Sequence, residues 1–387
     1  MRGARLVDRM ARPGVRLVVT LMFLSGIAPR GSGEPAPVMA GNRSILVCFN
    51  NNYGGTVEEN HRVAMSDPFN TDKYLLAVIA GATATLDAAF YDVSDEQVAQ
   101  AFIDAAARGV SVRLLTDNDN VLDKETGTVV RPGLLAMERA GVDIRNDQRS
   151  ALMHHKFMVV DGRVVWVSSM NLTTTSMYDH NNNGNVIRSE KVAANFTAEF
   201  DRLFGGGALG GPRMPVPFPS VRVGRATVET YFSPRGGIRD AIIKEIRGAR
   251  RSIRFMAFVY TDEQIAQAMI EGAARGVKVE GVVDECLLAV HSQYRTLRRA
   301  GIPVRWDGNQ ALMHHKVLII DDETVITGSY NFTLNAEENN NEAMLVIRSV
   351  PLAARYIEEY ERVRKATFLN RDLPPYDHPA CSGGERL

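Results

Sequence analysis

Leu152-Met153-His154-His155-Lys156-Phe157-Met158-Val159-Val160-Asp161-Gly162 is answered 160 residues later by Leu312-Met313-His314-His315-Lys316-Val317-Leu318-Ile319-Ile320-Asp321-Asp322. In each copy an apolar run follows the lysine and ends at an Asp-led pair. A second apolar run comes after it, over residues 164–167 and 325–327, which is the pattern of a β-hairpin. Side chains on a strand alternate between faces. His154 and Lys156 therefore share one face and His155 takes the other, and the same holds for His314, Lys316 and His315. An imidazole beside an ammonium is costly to bury unless chemistry or a partner requires it. Its appearance at two equivalent positions marks both pairs as functional, while His155 and His315 read as packing residues.

The duplication extends outward. Asp95-Glu96-Gln97-Val98-Ala99-Gln100 returns as Asp262-Glu263-Gln264-Ile265-Ala266-Gln267, Ala107-Arg108-Gly109-Val110 as Ala274-Arg275-Gly276-Val277, and Ala140-Gly141-Val142 as Ala300-Gly301-Ile302. The early matches are offset by 167 and the later ones by 160, so the first copy holds about seven extra residues, placed in the polar loop around 119–128. Repeats of this length are two fused copies of one domain rather than solenoid units. Each copy reads as α/β. A strand (85–91; 252–260) precedes an Ala-rich amphipathic helix (96–107; 263–274) stopped by Arg-Gly. Another strand (110–115; 277–283), a helix (131–140; 292–300), the hairpin and a closing helix (191–203; 352–365) follow. The expected organisation is a leader over 1–40, a first domain over 41–204, a Gly/Pro-rich linker over 205–220, a second domain over 221–370 and a flexible tail over 371–387.

Small polar residues follow each hairpin: Ser168-Ser169-Met170-Asn171 and Gly328-Ser329-Tyr330-Asn331, then Asn181-Asn182-Asn183 and Asn339-Asn340-Asn341-Glu342. Serine hydroxyls and asparagine amides at such spacing suit phosphate oxygens. These residues resemble the phospholipase D superfamily, whose signature is H-x-K, four residues, D, then a G/S-S and often N. The first copy supplies His154, Lys156, Asp161, Ser169 and Asn171. The second supplies His314, Lys316, Asp321, Ser329 and Asn331. The resemblance runs from about residue 44 to 367. It implies two α/β domains packed pseudo-symmetrically, with one active site at their interface. It also implies phosphodiester cleavage through a covalent phosphohistidine, with His154 as nucleophile, His314 as acid/base, no cofactor and no metal. Two histidines provide a nucleophile and a proton donor on opposite sides of phosphorus. Lys156, Lys316, Asn171 and Asn331 can neutralise the phosphoryl oxygens, a task that metals perform elsewhere. Asp161 and Asp321 belong to the signature, but their place at hairpin turns reads as bracing. In the family an acid orients a catalytic imidazole. Glu342 fills that place in the second copy, with Asn341 beside it. The first copy is read as having Gly184 there, with Asn183 beside it, so that one histidine lacks its usual orienter or Asp179 substitutes.

Composition narrows the substrate. Lys+Arg and Asp+Glu both number 45, for a formal net charge of 0, where a dedicated non-specific nucleic-acid binder is basic overall. Phospholipid at a membrane or micelle surface is the expected substrate. The alternative is an endonuclease acting on DNA or RNA, for which the Arg-rich stretch 247–254 is the candidate backbone grip. Arg2, Arg5, Arg9, Arg12 and Arg16, followed by an apolar run over 17–28, read as an export signal or an uncleaved anchor, the run being short for a bilayer span. The three cysteines, Cys48, Cys286 and Cys381, show no metal-site spacing. Both motifs lie on one chain, so a monomer is expected to suffice.

Overall fold

A computed structural model describes residues 39–40, 44–50, 52–53, 55–122, 130–205, 215–284 and 292–367. The first repeat runs β1 (Met39–Ala40), β2 (Ile45–Phe49), α1 (Val57–Ser66), α2 (Thr71–Ala80), β3 (Thr85–Phe90), α3 (Glu96–Ala107), β4 (Ser111–Thr116), α4 (Pro132–Arg139), β5 (Asp143–Asn146), β6 (Lys156–Val160), β7 (Val164–Ser168), α5 (Thr174–Tyr178), β8 (Asn183–Arg188) and α6 (Glu190–Gly205). The second runs β9 (Ser220–Val223), β10 (Ala226–Ser233), α7 (Ile238–Gly248), β11 (Ser252–Ala257), α8 (Glu263–Ala274), β12 (Lys278–Val283), α9 (Tyr294–Arg299), β13 (Val304–Trp306), β14 (Lys316–Ile320), β15 (Thr324–Gly328), α10 (Leu334–Glu338), β16 (Glu342–Arg348) and α11 (Val350–Ala366).

Each repeat builds one eight-stranded mixed sheet, in the orders β1-β2-β8-β7-β6-β3-β4-β5 and β13-β12-β11-β14-β15-β16-β10-β9. The strands β3, β4 and β5 are parallel, and β6 joins β3 antiparallel. Local chemistry sets the ends of the elements. Asp95 accepts hydrogen bonds from the Gln97 and Val98 amides at the start of α3, and Asp262 does the same for Gln264 and Ile265 at α8. One face of α3 buries Val98, Ala99, Phe102 and Ala105, and Gly109, at φ +88°, lets the chain leave the helix.

Strand alternation produces three cores. Leu86, Ala88, Met158 and Val160 pack outward against α2, α3 and α4. Phe255, Leu318 and Ile320 pack outward against α7 and α8. The opposite faces, with Phe157, Val159, Val317 and Ile319, share a central core with Phe196 and Phe200 of α6 and Tyr356 and Tyr360 of α11. That shared core joins the two sheets within one compact unit. The α/β class with two tandem domains, the hairpins and the main helices agree with the sequence reading. The strands β2, β8, β10 and β16 and the helices α1, α2 and α7 were not foreseen. β8 opens with Asn183-Gly184-Asn185, residues poor in strand propensity, and tertiary pairing overrides that preference. Residues 1–38 of the expected leader and the expected tail lie outside the described residues, as do Cys286 and Cys381, while Met39–Ala40, counted with the leader, pair with β2 as an edge strand of the first sheet; Cys48 is buried with its thiol on the Gly184 carbonyl.

Candidate active site

The two repeats exchange backbone hydrogen bonds at the start of the His-x-Lys strands. The His154 amide donates to the Asn341 carbonyl at 3.0 Å, and the Asn341 amide to Leu152 at 2.8 Å. In mirror fashion, the His314 amide donates to the Asn181 carbonyl at 3.0 Å, and the Asn181 amide to Leu312 at 2.9 Å. Each histidine is thus seated on the turn that leads into the last strand of the other repeat. Two buried aspartates finish the entry: Asp117 accepts from the Met153 amide and Asp284 from the Met313 amide, both at 2.8 Å.

This crossing places the side chains. His154 and His314 are each 1% exposed. The His154 Nδ1 donates to both carboxylate oxygens of Glu342, at 2.9 and 2.8 Å. The His314 Nδ1 lies 2.9 Å from Asn182 Oδ1. The Asn182 amide orientation is dictated by its neighbours: Nδ2 donates to the Ser176 carbonyl at 2.8 Å, and Oδ1 accepts from Ser169 Oγ at 2.7 Å. An oxygen therefore faces His314, whose Nδ1 must carry the proton, leaving the lone pair of the neutral ring on Nε2. Lys156 donates to the His154 carbonyl at 3.1 Å with its ammonium 5.1 Å from the Tyr91 ring centre. Lys316 donates to the His314 carbonyl at 3.0 Å over Phe258 at 4.6 Å. Two nearly dry imidazole–ammonium pairs thus lie at the seam between the repeats, a set of groups that can bind and transfer a phosphoryl group.

Several expected positions need correction. The partner of His314 is Asn182, not a residue beside Gly184. The constant offset of 160 that pairs Lys156 with Lys316 also pairs Asn181 with Asn341 and Asn182 with Glu342. Gly184 instead makes room for Trp166, whose ring a Cβ at that position would strike at 2.4 Å. Asn183 orients the other-face His315, at 3.0 Å, rather than a site histidine. Asn341 contributes its backbone to His154, and its side chain accepts from Arg149. Asp179 bonds His61 at 2.7 Å and does not substitute as an orienter. Of the Asn runs, Asn182, Asn183 and Asn341 are buried and Asn339 is exposed.

Asp161 and Asp321, counted with the catalytic signature, sit at the far ends of β6 and β14, about 16 Å of strand from the lysines at ~3.3 Å per residue. Asp161 accepts from the Thr83, Ala84 and Thr85 amides and from Thr83 Oγ1; Asp321 accepts from the Arg250, Arg251 and Ser252 amides. Partial burial opposes ionisation, but these donors outweigh it and hold both carboxyls below the usual carboxylate range. The Arg-rich stretch belongs to that same far end. Arg247 pairs with Glu271 and Arg254 with Glu280 and Asp322, while Arg250 and Arg251 are exposed at the end of the sheet away from the site.

Ser169 and Ser329, expected to hold phosphate, are committed to the turns. Ser169 Oγ accepts from the Asn183 amide, and Ser329 Oγ accepts from the Ala343 amide and donates to the Ala343 carbonyl. Asn171 and Asn331 remain at the edge of the site, each 7% exposed. On the opposite face His155 bonds Glu199 at 3.3 Å and His315 bonds Glu359 at 2.9 Å, which places both behind the site as expected. At the mouth, burial and then the Asp117 charge push the Asp147 carboxyl up to about 6, and burial lowers the neighbouring Arg149. Perturbed titratable groups of this kind concentrate at functional clefts. The sequence reading missed Tyr91, Phe258, Asp117, Asp284 and Asn182; only the constant offset in Asn182 could have been read in advance.

The family model for the cardiolipin synthase phospholipase D-like domain matches residues 75–204 and again 242–364, together more than half of the chain. Phospholipase D of Rickettsia bellii is 38% identical over 140 residues, covering 36% of this chain and 70% of the relative. Mitochondrial cardiolipin hydrolase of Mus musculus is 35% identical over 123 residues, covering 32% of this chain and 56% of that protein. The crystal structure of phosphatidylserine synthase from Haemophilus influenzae superposes with a TM-score of 0.60 at 14% identity, over 76% of this chain and 84% of that one, a likeness of fold. The doubled motif, the crossed histidines and these matches agree: the chain belongs to the phospholipase D superfamily of phosphodiesterases and carries the family domain twice.

Proposed function

We propose that this enzyme hydrolyses phospholipid headgroup esters through a phosphohistidine, without a metal, as a monomer. The observation that carries the mechanism is the unequal pair of Nδ1 partners, a carboxylate under His154 and an amide under His314. A carboxylate favours a cationic imidazole, and a neutral amide does not. His154 is accordingly the nucleophile. Its Nε2 lone pair attacks phosphorus, the N–P bond forms, the P–O bond to the headgroup breaks, and Glu342 stabilises the positive ring. His314, protonated on Nε2, gives that proton to the departing alkoxide. The neutral ring then takes a proton from water as the water oxygen attacks phosphorus and releases His154. Lys156 and Lys316, with Asn171 and Asn331, neutralise the non-bridging oxygens.

The surface favours lipid over nucleic acid. Among the described residues seven large apolar side chains are exposed. Five of them, Val63, Met65, Phe69, Leu122 and Leu334, lie on segments that follow the site ends of the strands, as suits an aggregated apolar substrate. No helix among the described residues is long and apolar enough to cross a membrane. We read residues 1–40 as an export leader, which N-terminal sequencing of the mature protein tests. The activity is tested by headgroup release from mixed phospholipid micelles with EDTA present, with His154→Ala and His314→Ala as controls. Release that both substitutions abolish supports the proposal. Release by either variant at near wild-type rate sinks the two-histidine route, and cleavage of DNA or RNA without lipid turnover replaces the substrate.

A further inference from the structure

The two halves of the site agree in His, Lys and Asn but differ in their surroundings. With the offset of 160, His180 stands where the second repeat has Asn340. The Asn340 side chain is engaged at the seam, its Oδ1 accepting from the Leu152 amide of the first repeat and from Asn335 Nδ2 of its own, both at 3.3 Å. The His180 ring instead lies 5.9 Å from the His314 ring, centre to centre, tilted by 51°. It is half-buried where His314 is 1% exposed.

Its backbone is held on every side. The His180 amide donates to the Thr175 carbonyl at 3.2 Å, and its carbonyl accepts from Asn50 Nδ2 at 3.0 Å and Asn52 Nδ2 at 2.9 Å. Asn309 of the second repeat donates to the Asp179 carbonyl at 3.0 Å and to Asn181 Oδ1 at 2.9 Å. His61 of α1 holds Asp179 from the other side at 2.7 Å. A turn fixed by four side chains brings one imidazole, without a counterpart at the equivalent position of the second repeat, next to the histidine assigned to the leaving group.

We propose that His180 contacts the leaving alcohol and positions it on His314, selecting substrates whose leaving group carries a hydrogen-bonding polar head. The inference rests on the phosphodiesterase reading and on the role given to His314. A phosphodiester has two unlike ester arms, and in-line displacement requires the departing arm to lie opposite the nucleophile. Among the described residues the imidazole beside His314 has no counterpart in the equivalent place beside His154, so it distinguishes the two orientations, which the symmetric His, Lys and Asn residues cannot do.

The test compares wild type with His180→Asn, the side chain the second repeat carries, on two probes: phosphatidylglycerol in mixed micelles and a p-nitrophenyl phosphodiester. The second probe has a good leaving group with no polar head. The expected result is a loss of about tenfold or more in kcat/KM on phosphatidylglycerol, comparable to one positioning contact, with p-nitrophenol release within about twofold of wild type. Equal losses on both probes would show that His180 only braces its turn and would overturn the proposal. Unchanged turnover of both would overturn it as well. Failure of wild type on both probes, or equal activity of His154→Ala, would instead count against the phosphodiesterase reading itself.

Discussion

Glu342→Gln isolates the feature that makes the two histidines unequal. The substitution keeps the length of the side chain and an oxygen that can accept from His154 Nδ1, and removes the charge. Glu342 is 0% and His154 1% exposed, so solvent screens this pair little. With the carboxylate 2.8 Å from Nδ1, the charge centres of ring and carboxylate are about 4 Å apart. At an effective dielectric of ~20 that separation corresponds to about 4 kcal/mol for a fully cationic ring. If half the charge has developed in the transition state, the loss is about 2 kcal/mol, or roughly 30-fold in rate; the cationic phosphohistidine itself loses up to about 1000-fold in stability. Rapid-quench measurement on headgroup substrate should show kcat and the rate of phosphoprotein formation falling together. The variant should melt within a few degrees of wild type, because a buried charge has been removed rather than left unpaired. A kcat within threefold of wild type, or a slow step confined to hydrolysis of the phosphoprotein, would refute the assignment of His154 as the nucleophile stabilised by Glu342.

Two further outcomes test the frame around the site. His155 Nδ1 is buried without a hydrogen-bond partner, whereas His315 Nδ1 has Asn183; the residue equivalent to Asn183 is Ala343, so Ala343→Asn should supply the missing acceptor. One such bond is worth about 1 kcal/mol, and a rise in Tm of about 1 to 3 °C by calorimetry is expected, a fall showing that the space cannot take the amide. Asp161→Asn should lower Tm at pH 7 and leave turnover nearly intact, since the carboxylate braces the far end of β6. Its folded pKa is depressed, so its contribution is present above the unfolded carboxylate value and disappears as pH falls through the folded one. The gap in Tm between wild type and variant should therefore close in acid, and a gap independent of pH would contradict the bracing role.

The sequence alone determined a good deal. Two copies of a strand-forming His-x-Lys segment, each followed by a turn and small polar residues, decided the α/β class and the duplication and singled out the candidate site side chains. Those features are local: periodicity, turn residues and the cost of placing an ammonium beside an imidazole act over a few positions. The constant offset of 160 even holds the pairing of Asn182 with Glu342, which matching the two Asn runs by their ends hides. The tertiary structure decided what depends on residues distant in the chain. It seated each histidine on the opposite repeat, gave one a carboxylate and the other an amide, and buried three asparagines as framework. It also sent Asp161, Asp321 and the Arg-rich stretch to the far end of the sheets and brought His180 next to His314. Hydrogen-bond partners 132 and 188 residues apart leave no periodic trace in the chain, because only packing of the two sheets on their shared core brings them within reach.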